Sequence, residues 1–524
     1  MSANGGCVMR QYVFRKKTFL WALIISTVLF ILPGCGGTPQ ASTDDWKMNV
    51  ISPTPSPSPA VTDESSISPA PEETSSEKVP TPVELNGNLR VEETQLVNEA
   101  GQPIQLKGVS THEVASFGYL VTHEALETMR DDWNLNVFRI AMYTEDATGY
   151  IRNPGVMNTV TRIIEDCIDL GIYVIVDWHI LFDHTPLKYK DQAVQFFSKI
   201  SEQYGDYPNI IYEICNEPNG PETTWDGDIK PYADEVIPTI RKNDPDNIII
   251  VGTPTWSQDV DIAADDPLPY ENVMYALHFY AGSHGQFLRN KIDYALSKGL
   301  PVFVSEWGTC LNTGDGPVFH EESMEWIKFL DERKLSYVNW SFSTKPEGAS
   351  ILRKNIDTKS KFTDVDLTES GLFVKYAIRG TRETVLFADG FESKTFSQGK
   401  WKRSKNTTYE TENPYKGQYA ASVGKDGYLE RTITTVPYEN LSLHLAYAFD
   451  GGSSGDTVKI EWFDGNEYKA VTELPYSEEW TELDVKLPDS ASGIKDFAVR
   501  ITASAADEET RLLLDEIWLA AEKK

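Results

Sequence analysis

The 524-residue sequence is poor in cysteine and in positive charge. It contains 5 cysteines, with no CxxC pair and no HExxH motif, so neither a disulfide framework nor a zinc site is indicated. Three of them, Cys167, Cys215 and Cys310, are therefore expected to be buried small hydrophobic residues. Lys and Arg number 48 against 79 Asp and Glu, which gives a formal net charge of −31. Such acidity disfavours nucleic acid and anionic lipid as partners.

The apolar run near the N-terminus is short for a membrane span, which takes about 20 apolar residues. Four basic residues precede an apolar run over residues 18–32 and a Leu-Pro-Gly-Cys sequence that ends at Cys35. Residues 1–35 thus have the charged, apolar and small-residue parts of a secretory signal peptide, and their end resembles the lipobox of bacterial lipoproteins. We expect an extracellular or cell-surface protein lipidated at Cys35. Plain secretion and an uncleaved anchor are the alternatives.

Large apolar residues are scarce in residues 36–83, which are rich in Ser, Thr, Pro and Glu. This composition cannot bury enough surface to fold, and its alternating prolines favour an extended chain. We interpret residues 36–83 as a linker.

From residue 84 onward, apolar strand-like runs alternate with amphipathic helical stretches. Eight runs begin at residues 105, 136, 173, 210, 247, 273, 301 and 336, and helical periodicity occupies stretches such as 123–133, 158–171, 191–205, 320–334 and 370–380. Eight strand–helix repeats predict a (β/α)8 TIM barrel over residues 84–382.

Two of the predicted strands end in carboxylates. The segments IYEICNEPNG (211–220) and VFVSEWGT (302–309) carry Glu217 and Glu306 at or after the end of an apolar run. The carboxyl ends of barrel strands form the mouth in which barrel enzymes place their active sites. A pair of carboxylates there is the equipment needed to hydrolyse a glycosidic bond.

Residues 84–381 resemble glycoside hydrolase family 5, specifically its bacterial endo-β-1,4-glucanases. The matching stretches occur in family order: LKGVSTH, NVFRIAMYT, VIVDWHIL, IYEICNEPNG, GTPTWSQDV, LHFYAGSHG, VFVSEWGT and NWSFSTK. The resemblance implies a retaining endoglucanase (cellulase) that cleaves internal β-1,4 bonds of cellulose and related β-glucans. The alternatives are a β-mannanase, a mixed-linkage β-glucanase, or an inactive glucan-binding surface protein. We also expect a monomer without a catalytic cofactor or metal.

The resemblance also implies roles for individual residues. Glu217 corresponds to the general acid/base and Glu306 to the nucleophile, with Arg139 and Tyr280 holding Glu306. The other implied roles are a contact with the sugar 2-hydroxyl by Asn216, support of Glu217 by His278, sugar contacts by His112, Tyr143 and His179, stacking by Trp256 and Trp340, and a grip on the next sugar by Lys345 and Glu347.

Some nearby residues are expected to have no such role, and one position departs from the family. Trp178 is expected in the core, and His184, His284 and His320 are expected to be solvated. Ser116 stands where related endoglucanases usually carry an aromatic residue, so a stacking platform is missing unless Phe117 or a loop aromatic replaces it.

Residues 383–524 have short runs of period two separated by turn residues, which predicts an antiparallel, jelly-roll-like β-sandwich. The stretches LFADGFES and LLLDEIWL loosely resemble carbohydrate-binding modules, and a spacer is the alternative. Most aromatic residues of this region are expected in its core, and the candidate sugar platforms are Trp401, Tyr409, Tyr415, Trp462, Tyr476 and Trp480. A structural calcium ion could be held by Asp389, Glu392 and Asp515. Because the predicted catalytic residues precede Thr381, we expect a chain ending near Arg382 to fold and retain activity.

Overall fold

The computed structural model describes residues 79–524, which form a closed parallel barrel followed by two antiparallel sheets. The predicted signal peptide, Cys35 and most of the predicted linker lie outside the described residues. None of the helices in residues 79–524 combines the length and the hydropathy of a membrane span.

The barrel strands are parallel throughout. A small hairpin of β1 (Arg90–Glu92) and β2 (Gln95–Val97) comes before them. The barrel strands are β3 (Lys107–Thr111), β4 (Val137–Tyr143), β5 (Tyr173–His179), β6 (Ile210–Glu213), β7 (Ile249–Val251), β8 (Val273–Tyr280), β9 (Val302–Gly308) and β10 (Tyr337–Phe342). Strand β10 pairs with β3 and closes the barrel. The prediction of a (β/α)8 barrel is confirmed.

The longer helices cover the outside of the barrel, which explains why its strands are apolar on both faces. The helices of the barrel region are α1 (Pro82–Asn86), α2 (Val114–Phe117), α3 (His123–Trp133), α4 (Met157–Asp169), α5 (Lys190–Tyr204), α6 (Lys230–Arg241), α7 (Pro254–Ser257), α8 (Val260–Asp265), α9 (Gln286–Ser297), α10 (His320–Glu332) and α11 (Glu369–Arg379). Their ends follow local chemistry. The Thr122 hydroxyl caps α3 by accepting a hydrogen bond from Ala125, and Asn134 ends that helix in the left-handed conformation.

The C-terminal strands pack as two antiparallel sheets around a second core, as predicted. These strands are β11 (Glu383–Asp389), β12 (Trp401–Arg403), β13 (Thr407–Glu410), β14 (Ala420–Gly424), β15 (Tyr428–Ile433), β16 (Tyr438–Asp450), β17 (Thr457–Phe463), β18 (Tyr468–Pro475), β19 (Thr481–Lys486), β20 (Phe497–Ser504) and β21 (Arg511–Lys523). One sheet has the order β13-β14-β21-β16-β19, with β11 also on β21, and the other has the order β12-β15-β20-β17-β18.

The sandwich is joined to the barrel by a buried polar network. The carboxylate of Glu369, at the start of α11, accepts hydrogen bonds from His320 (2.9 Å), Lys400 (3.1 Å) and Arg431. The other nitrogen of His320 lies 2.8 Å from the hydroxyl of Tyr438. The expectation that His320 is solvated is therefore wrong, because its ring is sandwiched between the two domains. A chain ending near Arg382 would lose this network, and its independent folding stays a prediction.

Candidate active site

A cleft of about 360 Å³ opens at the carboxyl ends of the barrel strands. Eleven of the thirteen predicted catalytic, binding and supporting residues line it: His112, Tyr143, His179, Glu217, Trp256, His278, Tyr280, Glu306, Trp340, Lys345 and Glu347. The two others, Arg139 and Asn216, are fully buried. The residues picked from separate strand ends therefore converge on one place, although their individual roles stay predictions.

Glu306, on β9, is held by two donors, one on β8 and one on β4. Its Oε1 accepts a hydrogen bond from the Tyr280 hydroxyl (2.8 Å), and its Oε2 accepts one from the Arg139 guanidinium (3.2 Å). Burial and the nearby charge of Glu217 raise the pKa of Glu306 to about 6, while Arg139 and Tyr280 act in the opposite direction. At neutral pH Glu306 is thus mostly ionised, and the carboxylate is the form that its predicted role as nucleophile requires.

Glu217 lies in the loop after β6 and is oriented by a histidine. Its Oε1 is 2.9 Å from His278 Nδ1, and the Nε2 of the same ring is 3.0 Å from the hydroxyl of Ser305. That hydroxyl donates to Glu213 at 2.7 Å, so both ring nitrogens face acceptors. Although burial disfavours the imidazolium, the hydrogen bonds to Glu213 and Glu217 raise the pKa of His278 to about 9.

The two carboxyl groups predicted to be catalytic are close together. Ligand atoms of Glu217, His278 and Glu306 lie within 4.8 Å of one another. Retaining glycosidases place their carboxyl groups about 5–5.5 Å apart, whereas inverting enzymes need a wider gap for a water molecule. Among the described residues, these three also form the one group with metal-ligand geometry. Both nitrogens of His278 are already hydrogen-bonded, to Glu217 and to Ser305, so neither is free to coordinate a metal ion.

Arg139 sits beneath the cleft at the centre of a charge network. Besides Glu306, its guanidinium contacts Glu213 (2.6 Å) and Asp177 (2.9 Å), all at buried positions. Burial alone would raise the pKa of Glu213, but Arg139 and His278 outweigh it and lower that pKa to about 2. The sequence analysis did not predict that Asp177, Glu213 and Ser305 belong to this network. For Asp177 and Glu213, the available signal was an acidic residue inside an otherwise apolar parallel strand.

The position of Asn216 is not the one expected for a residue that contacts a sugar. It is fully buried and does not line the cleft. Its Oδ1 accepts a hydrogen bond from Arg139 (2.6 Å), and its Nδ2 donates to the carbonyl of Ile180 (3.1 Å). These contacts tie Asn216 to the Arg139 network, and its contact with a sugar hydroxyl stays a prediction.

Aromatic rings form the cleft walls. Trp340 stacks on His179 with ring centroids 5.2 Å apart, and Tyr143 stacks on the same imidazole ring with centroids 4.2 Å apart. Trp256 is 45% exposed at the rim, where it and its neighbours Thr255 and Ser257 have φ between 54° and 57°. The left-handed backbone costs energy for such residues. A hydrogen bond from Ser257 Oγ to the carbonyl of Asn216 (2.6 Å) anchors the turn.

The remaining predicted ligands form a polar corner of the cleft. Lys345 Nζ pairs with Glu347 Oε2 (2.6 Å) and lies 3.0 Å from His112 Nε2. Burial and the charge of Lys345 lower the pKa of His112 to about 3, so its ring is neutral. The expectation that His284 is solvated is wrong. Its side chain is buried, lines the cleft, and accepts a hydrogen bond from the Tyr280 amide (2.9 Å).

Ser116, at the position where related endoglucanases usually carry an aromatic residue, makes a polar contact. Ser116 Oγ donates to Glu113 Oε2 (2.7 Å). Phe117 lies edge-on to His112 with centroids 5.3 Å apart and packs partly against the barrel core. Neither residue lines the cleft, so Phe117 does not supply the missing platform.

The family described as cellulase (glycosyl hydrolase family 5) matches residues 97–346, all within the barrel. The chain is 51% identical over 301 residues to an endoglucanase of Clostridium saccharobutylicum, a match that covers 57% of this chain and 67% of the relative. This chain belongs to glycosyl hydrolase family 5.

Two further similar proteins agree with this assignment. The chain is 55% identical over 279 residues to endoglucanase A of Evansella cellulosilytica, which covers 53% of this chain and 57% of the relative. The chain thus spans between about half and two thirds of the length of these curated relatives. The crystal structure of the Thermobifida fusca endoglucanase Cel5A catalytic domain is 37% identical, with a TM-score of 0.54 over 57% of this chain and 99% of that chain. The predicted family is confirmed.

Most of the candidate sugar platforms of the sandwich belong to its core or pack against it, as expected. Trp401 and Trp462 belong to its core, and Tyr409 and Tyr476 pack against it. Tyr415 and Trp480 remain partly exposed as a pair with ring centroids 5.5 Å apart. The suggested calcium ligands are not gathered: among the described residues, Asp389, Glu392 and Asp515 do not form a group with ligand atoms within 4.8 Å. Each accepts backbone amide hydrogen bonds instead.

Proposed function

We propose that this family 5 protein is an endo-β-1,4-glucanase that hydrolyses cellulose and related β-glucans by double displacement with net retention. The observation that carries the proposal is the Glu217–Glu306 pair, with ligand atoms within 4.8 Å of each other in an aromatic-walled cleft. The relatives named endoglucanases support the substrate class.

In the first step, the carboxylate of Glu306 attacks the anomeric carbon while Glu217 gives its proton to the departing glycosidic oxygen. The bond from the anomeric carbon to the leaving oxygen breaks as the bond to Glu306 forms. In the second step, Glu217 takes a proton from water, which attacks the anomeric carbon and releases Glu306. Tyr280 and Arg139 fix the attacking oxygens, and His278 fixes Glu217.

The test is a product analysis with the pure enzyme on carboxymethylcellulose, barley β-glucan, xylan and mannan. We expect a fall in viscosity of carboxymethylcellulose that precedes the release of most reducing sugar, since internal bonds are cut. Proton NMR of early products should show the β-anomer first. Mannan as the best substrate would replace the glucanase proposal with a mannanase, and the α-anomer first would reject the double displacement.

We further propose that the enzyme acts outside the cell, tethered by a lipid on Cys35. The basic and apolar leader before Leu-Pro-Gly-Cys supports this. Mass spectrometry of the membrane fraction should find a diacylglyceryl group on Cys35 at the mature N-terminus. An unmodified N-terminus on protein free in the medium would favour plain secretion.

A further inference from the structure

A second groove lies next to the cleft and has walls from both domains. It has a volume of about 400 Å³ and is lined on the barrel side by the loop after β10, including Lys345, Glu347 and Lys354. On the sandwich side it is lined by Ser397, Gln398 and Lys400. Lys345 and Glu347 line both the groove and the catalytic cleft, so the two cavities meet at these side chains.

The sandwich wall of the groove is fixed in place. Lys400 Nζ donates to Glu369 (3.1 Å), the carboxylate that also binds Arg431 of the sandwich. On the barrel, Arg353 donates to the carbonyl of Ala388 and lies 3.3 Å from Asp389. The backbone amide of Lys354 donates to Gln398 Oε1 at 3.3 Å. A wall anchored this way presents its polar groups to a ligand without being ordered by it.

The groove chemistry suits an uncharged, hydroxyl-rich chain. Ser397 and Gln398 are exposed and offer a hydroxyl and an amide, which are donors and acceptors for sugar hydroxyls. The charged residues are largely paired, Lys345 with Glu347 (2.6 Å) and Lys400 with Glu369 (3.1 Å). The groove therefore has no strong excess of one charge that would select an ionic ligand.

We propose that this groove between the barrel and the sandwich is a distal subsite, in which Ser397 and Gln398 bind further glucose units of a β-glucan chain whose scissile bond lies in the cleft. The proposal rests on the proposed glucanase function and adds to it. It gives the sandwich a direct part in binding the chain that is being cut, so long chains gain binding energy that short ones cannot reach.

The test compares cellohexaose with cellotetraose as substrates of the full-length enzyme. Gln398→Ala removes the amide, and Ser397→Trp fills the groove. Gln418→Ala is the matched control, because Gln418 is an exposed sandwich glutamine that does not line the groove. We expect the ratio of kcat/KM for cellohexaose to that for cellotetraose to fall roughly two- to tenfold in Gln398→Ala, as for the loss of one hydrogen bond. Ser397→Trp should lower it at least as much.

A second readout separates this proposal from the catalytic one. In a Glu306→Gln background, cellohexaose binding measured by calorimetry should weaken with Ser397→Trp and should be unaffected by Gln418→Ala. Groove variants with the wild-type substrate ratio and wild-type cellohexaose affinity would overturn the subsite. A wild-type enzyme that cleaves neither oligosaccharide would contradict the proposed function itself.

Discussion

The barrel and the sandwich both bury carboxylates, but they use them differently. In the sandwich, Asp389 accepts hydrogen bonds from the Phe391 amide and the Trp401 indole, and Asp515 accepts from loop amides. In the barrel, Glu217 and Glu306 line an open cleft with ligand atoms within 4.8 Å of each other. Burial of a carboxylate therefore does not by itself mark a reacting group. What marks a reacting carboxylate is a second carboxylate close by together with an opening for substrate.

The largest expected effect separates these two kinds of carboxylate directly. Glu217→Gln should lower kcat on a glucan by on the order of 10²–10⁴-fold, as expected for the loss of a general acid. Glu306→Gln should be at least as damaging, because no nucleophile remains. Asp389→Asn is the matched amide substitution in the sandwich and should leave kcat near that of the wild type. Equal losses in the three variants would show that the comparison is wrong.

Removing a buried arginine should lower the free energy of unfolding in both regions, but by different amounts. Arg139→Met leaves Asp177 and Glu213 buried without their cation, which costs about 3–5 kcal/mol of unfolding free energy when a buried pair is broken. Arg353→Met removes one ion pair, with Asp389 at 3.3 Å, and should cost less. Urea denaturation of both variants measures the difference. A larger loss for Arg353→Met would mean that the domain interface, and not the Arg139 network, dominates stability.

The sequence predicted the barrel and the cleft residues well because both follow from patterns along the chain. Strand ends of one barrel must meet at its mouth, so Glu217, Glu306 and Tyr280 could be placed together without a structure. The buried positions of His284 and His320 could not be predicted from such patterns. Their burial depends on packing between distant segments, such as α10 against Tyr438. The anchoring of Asn216 by Arg139 depends on side-chain orientation, which period and spacing do not specify.

The acid limb of the pH dependence of the barrel reaction should report Glu306. With its pKa at about 6, kcat/KM should fall as pH decreases below about 6, because protonation removes the nucleophile's charge. Tyr280→Phe removes a donor that stabilises the carboxylate, so the acid limb should move to higher pH. Burial also raises the pKa of Asp515 in the sandwich to about 7, yet Asp515→Asn should leave the acid limb in place. A shift in Asp515→Asn and none in Tyr280→Phe would contradict this assignment.

The smallest expected effect concerns the surface of the sandwich. If Tyr415 and Trp480 form a sugar platform, the double variant Tyr415→Ala/Trp480→Ala should bind insoluble cellulose less and hydrolyse it more slowly. Hydrolysis of carboxymethylcellulose should be unchanged, since a surface platform raises the local enzyme concentration only on an insoluble substrate. Tyr476→Phe is a control that keeps the ring packed against the sandwich core. An unchanged ratio of soluble to insoluble activity in the double variant would identify the sandwich face as a spacer.

The proposed reaction depends on a covalent bond between Glu306 and the sugar, formed while Glu217 transfers the proton. The most direct measurement is trapping with a 2-deoxy-2-fluoro cellobioside carrying a good leaving group, followed by digestion and mass spectrometry of the peptides. We predict one fluoroglycosyl group per molecule, on the peptide that contains Glu306, with slow release by added acceptor sugar. A label on Glu217, or turnover of the native substrate with inversion and no trapped intermediate, would contradict it.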